Sequence, residues 1–205
     1  MRRRLRMAFG SDSGDDPGQM TGLLSPWLER RRVEKALGYL DDGLEVLDVG
    51  CGRSPLLDHI APERYVGVDV LGPVIASNRE RFPQHDFQNL DVSCDDLGSL
   101  GCFDVIVMLA VLEHFTDPDG VLARLGGCLK PHGRIVLTTP HPSGERVLDW
   151  GALVGVCSPE AEDEHAPLLC QRRIEDAARG AGLCMLQYER FLGSFNQLAV
   201  LGRQD

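Results

Sequence analysis

Between residues 44 and 139 the sequence changes period repeatedly: short apolar, β-branched runs alternate with segments whose apolar residues fall at helical spacing. Leu44–Val49, Tyr65–Val70, His85–Leu90, Phe103–Leu109 and Arg134–Thr139 read as strands. Phe103–Leu109 is nearly all apolar, as a strand covered on both faces must be. Between the runs, Ser54-Pro55 predicts a helix start with Leu56, Leu57 and Ile60 on its inner face. Gly72-Pro73 predicts a second helix through Phe82, and Asp117-Pro118 a third with the stripe Val121, Leu122, Leu125 and Leu129. Proline suits the first helical position because the N–H it lacks would have no partner there. Strands separated by helices cannot pair through tight turns. They run parallel and are joined by crossovers, so the chain is α/β with helices on both faces of its sheet.

The flanks extend this plan. Ser25-Pro26 predicts another helix, with Val33, Ala36, Leu37 and Leu40 on one face and Asp41-Asp42-Gly43 as its end. After Pro140 the rhythm breaks for about 30 residues, then returns near Gln171 with Ile174, Ala177, Ala178 and Ala181, stopped by Gly182. Two strands, near 183–191 and 196–202, follow. Residues 1–22 hold four arginines, then Gly, Ser and Asp without periodicity, and read as a flexible arm. Residues 23–205 read as a single domain, with 141–170 as a substrate or lid insertion.

Composition narrows the function. The formal net charge is −10, from 21 Lys and Arg against 31 Asp and Glu, the wrong sign for a protein that coats nucleic acid or an anionic membrane. No apolar run approaches the roughly 20 residues that span a bilayer, and the Arg-rich start lacks the apolar stretch of a secretory signal. The seven cysteines are scattered, with no Cys-x-x-Cys pair, so neither a disulfide framework nor a zinc knuckle is indicated. Reduced thiols in a cytoplasmic protein are the expectation.

In an open α/β sheet, ligands bind outside the carboxyl ends of the strands. The first strand runs into Gly50-Cys51-Gly52-Arg53-Ser54. Two glycines at this spacing allow a sharp turn and a close approach of a ligand to the backbone. Asp69 ends the second strand, 17 residues past Gly52, where a carboxylate suits the two hydroxyls of a ribose. A dinucleotide fingerprint would need a third glycine where Pro55 stands. Asp48, inside the strand before the turn, would be unhelpful beside a pyrophosphate but suits a cationic ligand.

These residues, in this order, resemble the class I S-adenosylmethionine-dependent methyltransferases of the small-molecule type. Val46-Leu47-Asp48-Val49-Gly50-Cys51-Gly52 is similar to the family's first motif, and Gly67-Val68-Asp69 to its ribose-binding acid. Leu90-Asp91-Val92 is similar to the acid beside the adenine amino group. Phe103–Val107 with Val111-Leu112-Glu113-His114 resembles the fourth-strand motif, and Leu129–Ile135 with Thr139-Pro140 resembles the fifth strand and its exit. The resemblance covers about residues 44–142. It implies a Rossmann-like, seven-stranded, mostly parallel sheet with helices on both faces and an antiparallel last strand. It further implies S-adenosylmethionine as cofactor, S-adenosylhomocysteine as product, and a cofactor site made of Asp48, Gly50, Cys51, Gly52, Asp69, Val70, Asp91, Val92 and Leu109. No metal is implied. Ser54 stands where family members commonly carry a third glycine, with Arg53 before it and His132 in place of another glycine. Ser54 is expected to act as a helix N-cap.

A methyl group on a sulfonium is already activated, so the enzyme's task is orientation, with a general base where the acceptor is a hydroxyl. His114, after the fourth strand, and His141, after the fifth, are the candidates for that base. Glu113 suits either capping the next loop or touching substrate. His59 and His85 read as surface or packing residues. The acidic run Glu160, Glu162, Asp163 and Glu164 suits either a solvated loop or the attraction of a cationic substrate. Met108-Leu109-Ala110-Val111 replaces the Asn-Pro-Pro-Tyr type of tetrapeptide that holds planar amino groups, which argues against base or protein-amide methylation. A small-molecule acceptor, with O or N methylated, is the leading expectation. A cofactor-binding partner protein without activity and a nicotinamide oxidoreductase remain as alternatives.

Overall fold

The structure, a computed structural model, describes residues 25–143 and 169–203. The expected arm over 1–22, the acidic run and most of the 141–170 segment lie outside the described residues. Seven strands form one sheet in the order β3-β2-β1-β4-β5-β7-β6. They are β1 (Glu45–Val49), β2 (Arg64–Asp69), β3 (Asp86–Asn89), β4 (Phe103–Leu109), β5 (Leu129–Pro140), β6 (Leu183–Phe191) and β7 (Asn196–Arg203). The first five pair in parallel, and β7 slots antiparallel between β5 and β6. The chain order reverses between β1 and β4, so the crevice of an open α/β sheet lies there.

Strand alternation sorts the core into two layers. Val46, Val105, Val107, Val136 and Val200 face one side, where they meet Val33 and Ala36 of α1 (Ser25–Ala36) and Ile75 of α2 (Gly72–Arg81). Leu47, Val49, Ile106, Met108, Ile135 and Leu137 face the other. There they meet α3 (Pro118–Gly127) through Val121, Leu122 and Leu125, and α4 (Gln171–Gly180) through Ile174, Ala177 and Ala178. Asp117 caps α3, its side chain accepting from the Gly120 N–H at 2.9 Å. At the amino ends of the strands, Lys130 donates to Glu45 at 2.8 Å and to Asp104 at 3.0 Å. The opposite, carboxyl edge is left for ligands.

Two elements differ from expectation. Instead of a helix after β1 there is a 3₁₀ turn, Pro55–Asp58. Pro62 and the start of β2 at Arg64 leave fewer than eight residues, too few for a stable α-helix. β5 starts at Leu129, earlier than its apolar run, and is interrupted where Phe103 pairs with Leu129 but Val105 pairs with Arg134. His132 takes φ +62° in that irregularity, which explains the family's glycine at this position. Among the described residues, no helix is long and apolar enough to cross a membrane.

Candidate active site

The loop after β1 winds through three left-handed residues at alternate positions: Gly50 (φ +65°), Gly52 (φ +49°) and Ser54 (φ +53°). Each glycine has a different reason. A Cβ on Gly50 would lie 2.5 Å from Cγ2 of Val111, so packing forbids it. A Cβ on Gly52 would meet nothing within 4 Å, so there the backbone borders open space. Ser54 takes the family's third left-handed position and makes no cap bond. It is fully buried, and its hydroxyl accepts from Asn78 Nδ2 at 3.2 Å.

Asn78, on α2, was not singled out in the sequence, yet it fastens the loop. It also donates to the Gly52 carbonyl at 2.6 Å. Its signal was available: a polar residue three positions after Ile75, on the helix's buried face. Cys51 is buried beside it, and burial pushes its thiol upward, so the group stays protonated. Under the loop, Asp48 is also buried, accepting from the Tyr65 hydroxyl at 2.5 Å. Burial raises its pKa from 3.8 to about 7, against the Tyr65 bond and with Asp69 adding to the rise.

Asp69 joins two loops. Oδ2 accepts from the Gly52 N–H at 3.0 Å, and Oδ1 from the Leu71 N–H at 3.0 Å. Each carboxylate oxygen has a second lone pair for a ligand hydroxyl. Beyond it, Val70 and Leu71 are 63% and 48% exposed, an apolar lip at the mouth of the crevice. Asp91 accepts from the backbone and hydroxyl of Ser93, which together hold its carboxyl below the usual range. Val92 follows with its side chain in the core, and Leu109 is half-buried at the end of β4. The structure therefore brings Gly50, Cys51, Gly52 and Asp69 together directly, with Asp48 beneath them and Asp91 at the far end of the same edge.

A second cluster occupies the carboxyl ends of β4 and β5 and the amino end of β7. Ala110 turns with φ +58°, its N–H donating to the Thr138 carbonyl at 2.9 Å, and a 3₁₀ turn, Leu112–His114, follows. His114 is exposed. Burial pushes the Glu113 carboxyl upward, opposed by its own backbone N–H, His114, Arg32 and the Thr139 hydroxyl. Arg32 comes from α1 and is lowered by burial against the charges of Glu113 and Glu29; its Nε donates to Asn196 Oδ1 at 3.0 Å. His141 is buried, with Nδ1 engaged by the Ser143 N–H at 3.1 Å and by the Ser143 hydroxyl at 2.7 Å. Burial and Arg190 lower its pKa, favouring the neutral ring. Neither Arg32 nor Glu29 was marked by sequence, since their partners are 164 and 24 positions distant in Asn196 and Arg53.

The open backbone at Gly52, the apolar lip at Val70 and Leu71, and the lone pairs of Asp69 fit an adenosyl ligand. A family model described as a methyltransferase domain matches residues 21–188. A ubiquinone biosynthesis O-methyltransferase of Paracidovorax citrulli is 30% identical over 171 residues, covering 74% of this chain and 70% of that protein. Nocamycin O-methyltransferase of Saccharothrix syringae is 30% identical over 58% of this chain and 48% of its own length. A tRNA U34 carboxymethyltransferase of Trichlorobacter lovleyi is 36% identical over 51% and 34% respectively. The chain thus spans half or less of the last two relatives. Among solved structures, the N-methyltransferase NodS of Bradyrhizobium japonicum, in complex with S-adenosyl-L-homocysteine, superposes with a TM-score of 0.62. It has 14% identity and covers 90% of both chains.

Proposed function

The chain belongs to the class I S-adenosylmethionine-dependent methyltransferases, and from that premise we propose that it methylates an oxygen or nitrogen of a small organic molecule. When bound, the cofactor supplies a methyl group on a positively charged sulfur. The residues that would hold it are those of the first cluster. Asp69 accepts the ribose hydroxyls with its remaining lone pairs, and Asp91 accepts from the adenine amino group. Val70, Leu109 and the backbone at Val92 enclose the base, while the left-handed turn at Gly50 and Gly52 admits the sugar close to the backbone. Asp48 and Cys51 support that turn from below, and an ionised Asp48 favours a cation above it.

Orientation is the second cluster's task. His114, exposed on the turn after β4, is the proposed general base for a hydroxyl acceptor. His141 is the second candidate; because its Nδ1 accepts from the Ser143 N–H, the neutral ring carries its proton on Nε2 and would orient an acceptor as a hydrogen-bond donor rather than deprotonate it. The observation that carries the reading is the Gly52–Asp69 junction, a backbone open to a ligand and bonded to the acid expected on the ribose. The small-molecule acceptor is supported by the likeness to the ubiquinone-biosynthesis enzyme over most of both chains and by the net charge of −10. The tRNA enzyme among the relatives favours a nucleic-acid acceptor as the second reading.

Calorimetric titration with S-adenosylmethionine and S-adenosylhomocysteine, using NADH as the contrast, tests the site. Micromolar binding of the adenosyl ligands and at least a tenfold loss in Asp69→Ala are expected. A panel of phenols, catechols, amines and total tRNA, assayed with radiolabelled methyl donor, then tests the acceptor. Label entering only tRNA would refute the small-molecule reading.

A further inference from the structure

Where the carboxyl edge of the sheet meets α1, two polar atoms have nothing to bond. Glu113 Oε2 and Thr138 Oγ1 are sealed from solvent and have no hydrogen-bond partner among the described residues. A buried polar atom left unpaired costs about 1–3 kcal/mol, and more when charged, so native structures hold few of them. These two share one seam. Thr138 pairs with Leu109 across β4–β5, its carbonyl takes the Ala110 N–H, and the turn carrying Glu113 begins at Leu112. Alternation along β5 puts Thr138 on the side where Val136 meets Val33 and Ala36 of α1.

Arg32, next to Val33, makes the arrangement specific. Its guanidinium is fastened to Asn196, and its charge acts on Glu113. The carboxyl thus has a fixed cation near it and the Thr139 hydroxyl as a partner, while Oε2 has no hydrogen bond among the described residues. Only a hydrogen-bond donor satisfies an anionic oxygen. Glu113 follows two residues after Val111, the residue against which Gly50 of the cofactor loop packs.

We propose that Glu113 is the acceptor-binding carboxylate: its Oε2 receives the O–H or N–H of the group to be methylated, with Arg32 as the residue that positions it. This rests on the methyl-transfer reading above and narrows it to acceptors with a proton on the reacting oxygen or nitrogen, such as phenols, alcohols and primary or secondary amines, as against carboxylates and tertiary amines.

The test needs no acceptor. Sinefungin carries an ammonium group in place of the transferable methyl, so it presents N–H donors and a positive charge toward the acceptor's place. S-adenosylhomocysteine presents neither. Affinities of both ligands are measured by calorimetry for the wild type, Glu113→Gln and Thr138→Val. The wild type is expected to bind sinefungin at least fivefold more tightly than S-adenosylhomocysteine. Glu113→Gln, which keeps the side chain's shape, should reduce that preference to within twofold and leave S-adenosylhomocysteine affinity within twofold of wild type. Thr138→Val, which alters a separate sealed hydroxyl, should leave both the preference and the homocysteine ligand's affinity unchanged. The inference is overturned if the wild type shows no preference, if Glu113→Gln retains it, or if Glu113→Gln weakens both ligands alike, which would assign the carboxylate to the cofactor or the fold. A wild type that bound neither ligand would remove the methyl-transfer reading itself, and this inference with it.

Discussion

Replacing Asp48 with asparagine should shift the stability of the ligand-free protein in the variant's favour as pH rises. Asp48 lies wholly inside the sheet, with the Tyr65 hydroxyl as its hydrogen-bond donor, and its pKa rises from 3.8 to about 7 because burial penalises the charge. The folded state therefore binds a proton more tightly than the unfolded chain does. Between pH 3.8 and about 7 the folded form holds the extra proton, so stability falls as pH rises through that window and is level above it. At 1.36 kcal/mol per pH unit, the whole fall is about 4 kcal/mol, of which about 3 kcal/mol lies between pH 5 and pH 8. Asparagine does not titrate. Its amide leaves N–H groups short of partners, which costs about 1–3 kcal/mol, but that cost is the same at every pH and cancels in the comparison. Denaturant unfolding of both proteins at pH 5 and pH 8 reads the difference directly. The advantage of the Asp48→Asn variant over the wild type should be about 3 kcal/mol larger at pH 8, and Tyr65→Phe, which removes the one bond favouring the charged form, should extend the wild type's decline above pH 7. A variant-minus-wild-type difference that is the same at both pH values would refute the reasoning.

Two glycines separate packing from ligand approach. Gly50→Ala should cost about 3 kcal/mol of stability, because a left-handed alanine also meets Val111 at 2.5 Å; thermal unfolding checks it. Gly52→Ala, with open space around the new methyl, should cost only about 1 kcal/mol, yet reduce S-adenosylhomocysteine affinity at least tenfold by calorimetry. Asn78→Ala should release the Gly52 carbonyl and Ser54, costing about 2 kcal/mol and weakening the same ligand about tenfold.

What the sequence made legible follows from the range of the interactions. The sheet and its helices rest on local period and on turn residues, so β1, β2 and β4 lie within a residue or so of their apolar runs, and Asp69 stands at a strand's end where a ligand acid belongs. The Ser54-Pro55 pair was misleading for a physical reason. Serine before proline is the chemistry of a helix start, and the same serine tolerates a left-handed turn when a partner holds it. Asn78, 24 residues later, is that partner; its place on the buried face of its helix marks it as engaged, but nothing local says with what. The Arg32–Asn196 bond is longer in range still, joining the first described helix to the last strand. The acceptor end of the site depends on such contacts, whereas the cofactor end depends mostly on a loop and the strand beside it.

Asp48 and Glu113 show the same departure from what stability alone would select. Both carboxyls are pushed upward by burial, and in each the neutralising partner is incomplete: a single neutral hydroxyl for Asp48, and for Glu113 a cation that leaves Oε2 without a bond. A core built for stability would place amides or apolar groups there. Asp48 lies buried in β1, just before the loop that carries Gly50, and Glu113 follows Val111, against which Gly50 packs. A reaction that brings in a cationic donor and a protic acceptor supplies what each lacks, a positive charge near one and a hydrogen-bond donor at the other. If that is why they are retained, removing both costs should be additive in the ligand-free protein, since the sites share no bonded partner. In the ligand-bound protein the gain should shrink, because the wild-type groups are then satisfied. The Asp48→Asn, Glu113→Gln double variant, unfolded with and without saturating sinefungin, measures this. A gain that is the same in both states would show the two acids to be structural liabilities with no part in binding.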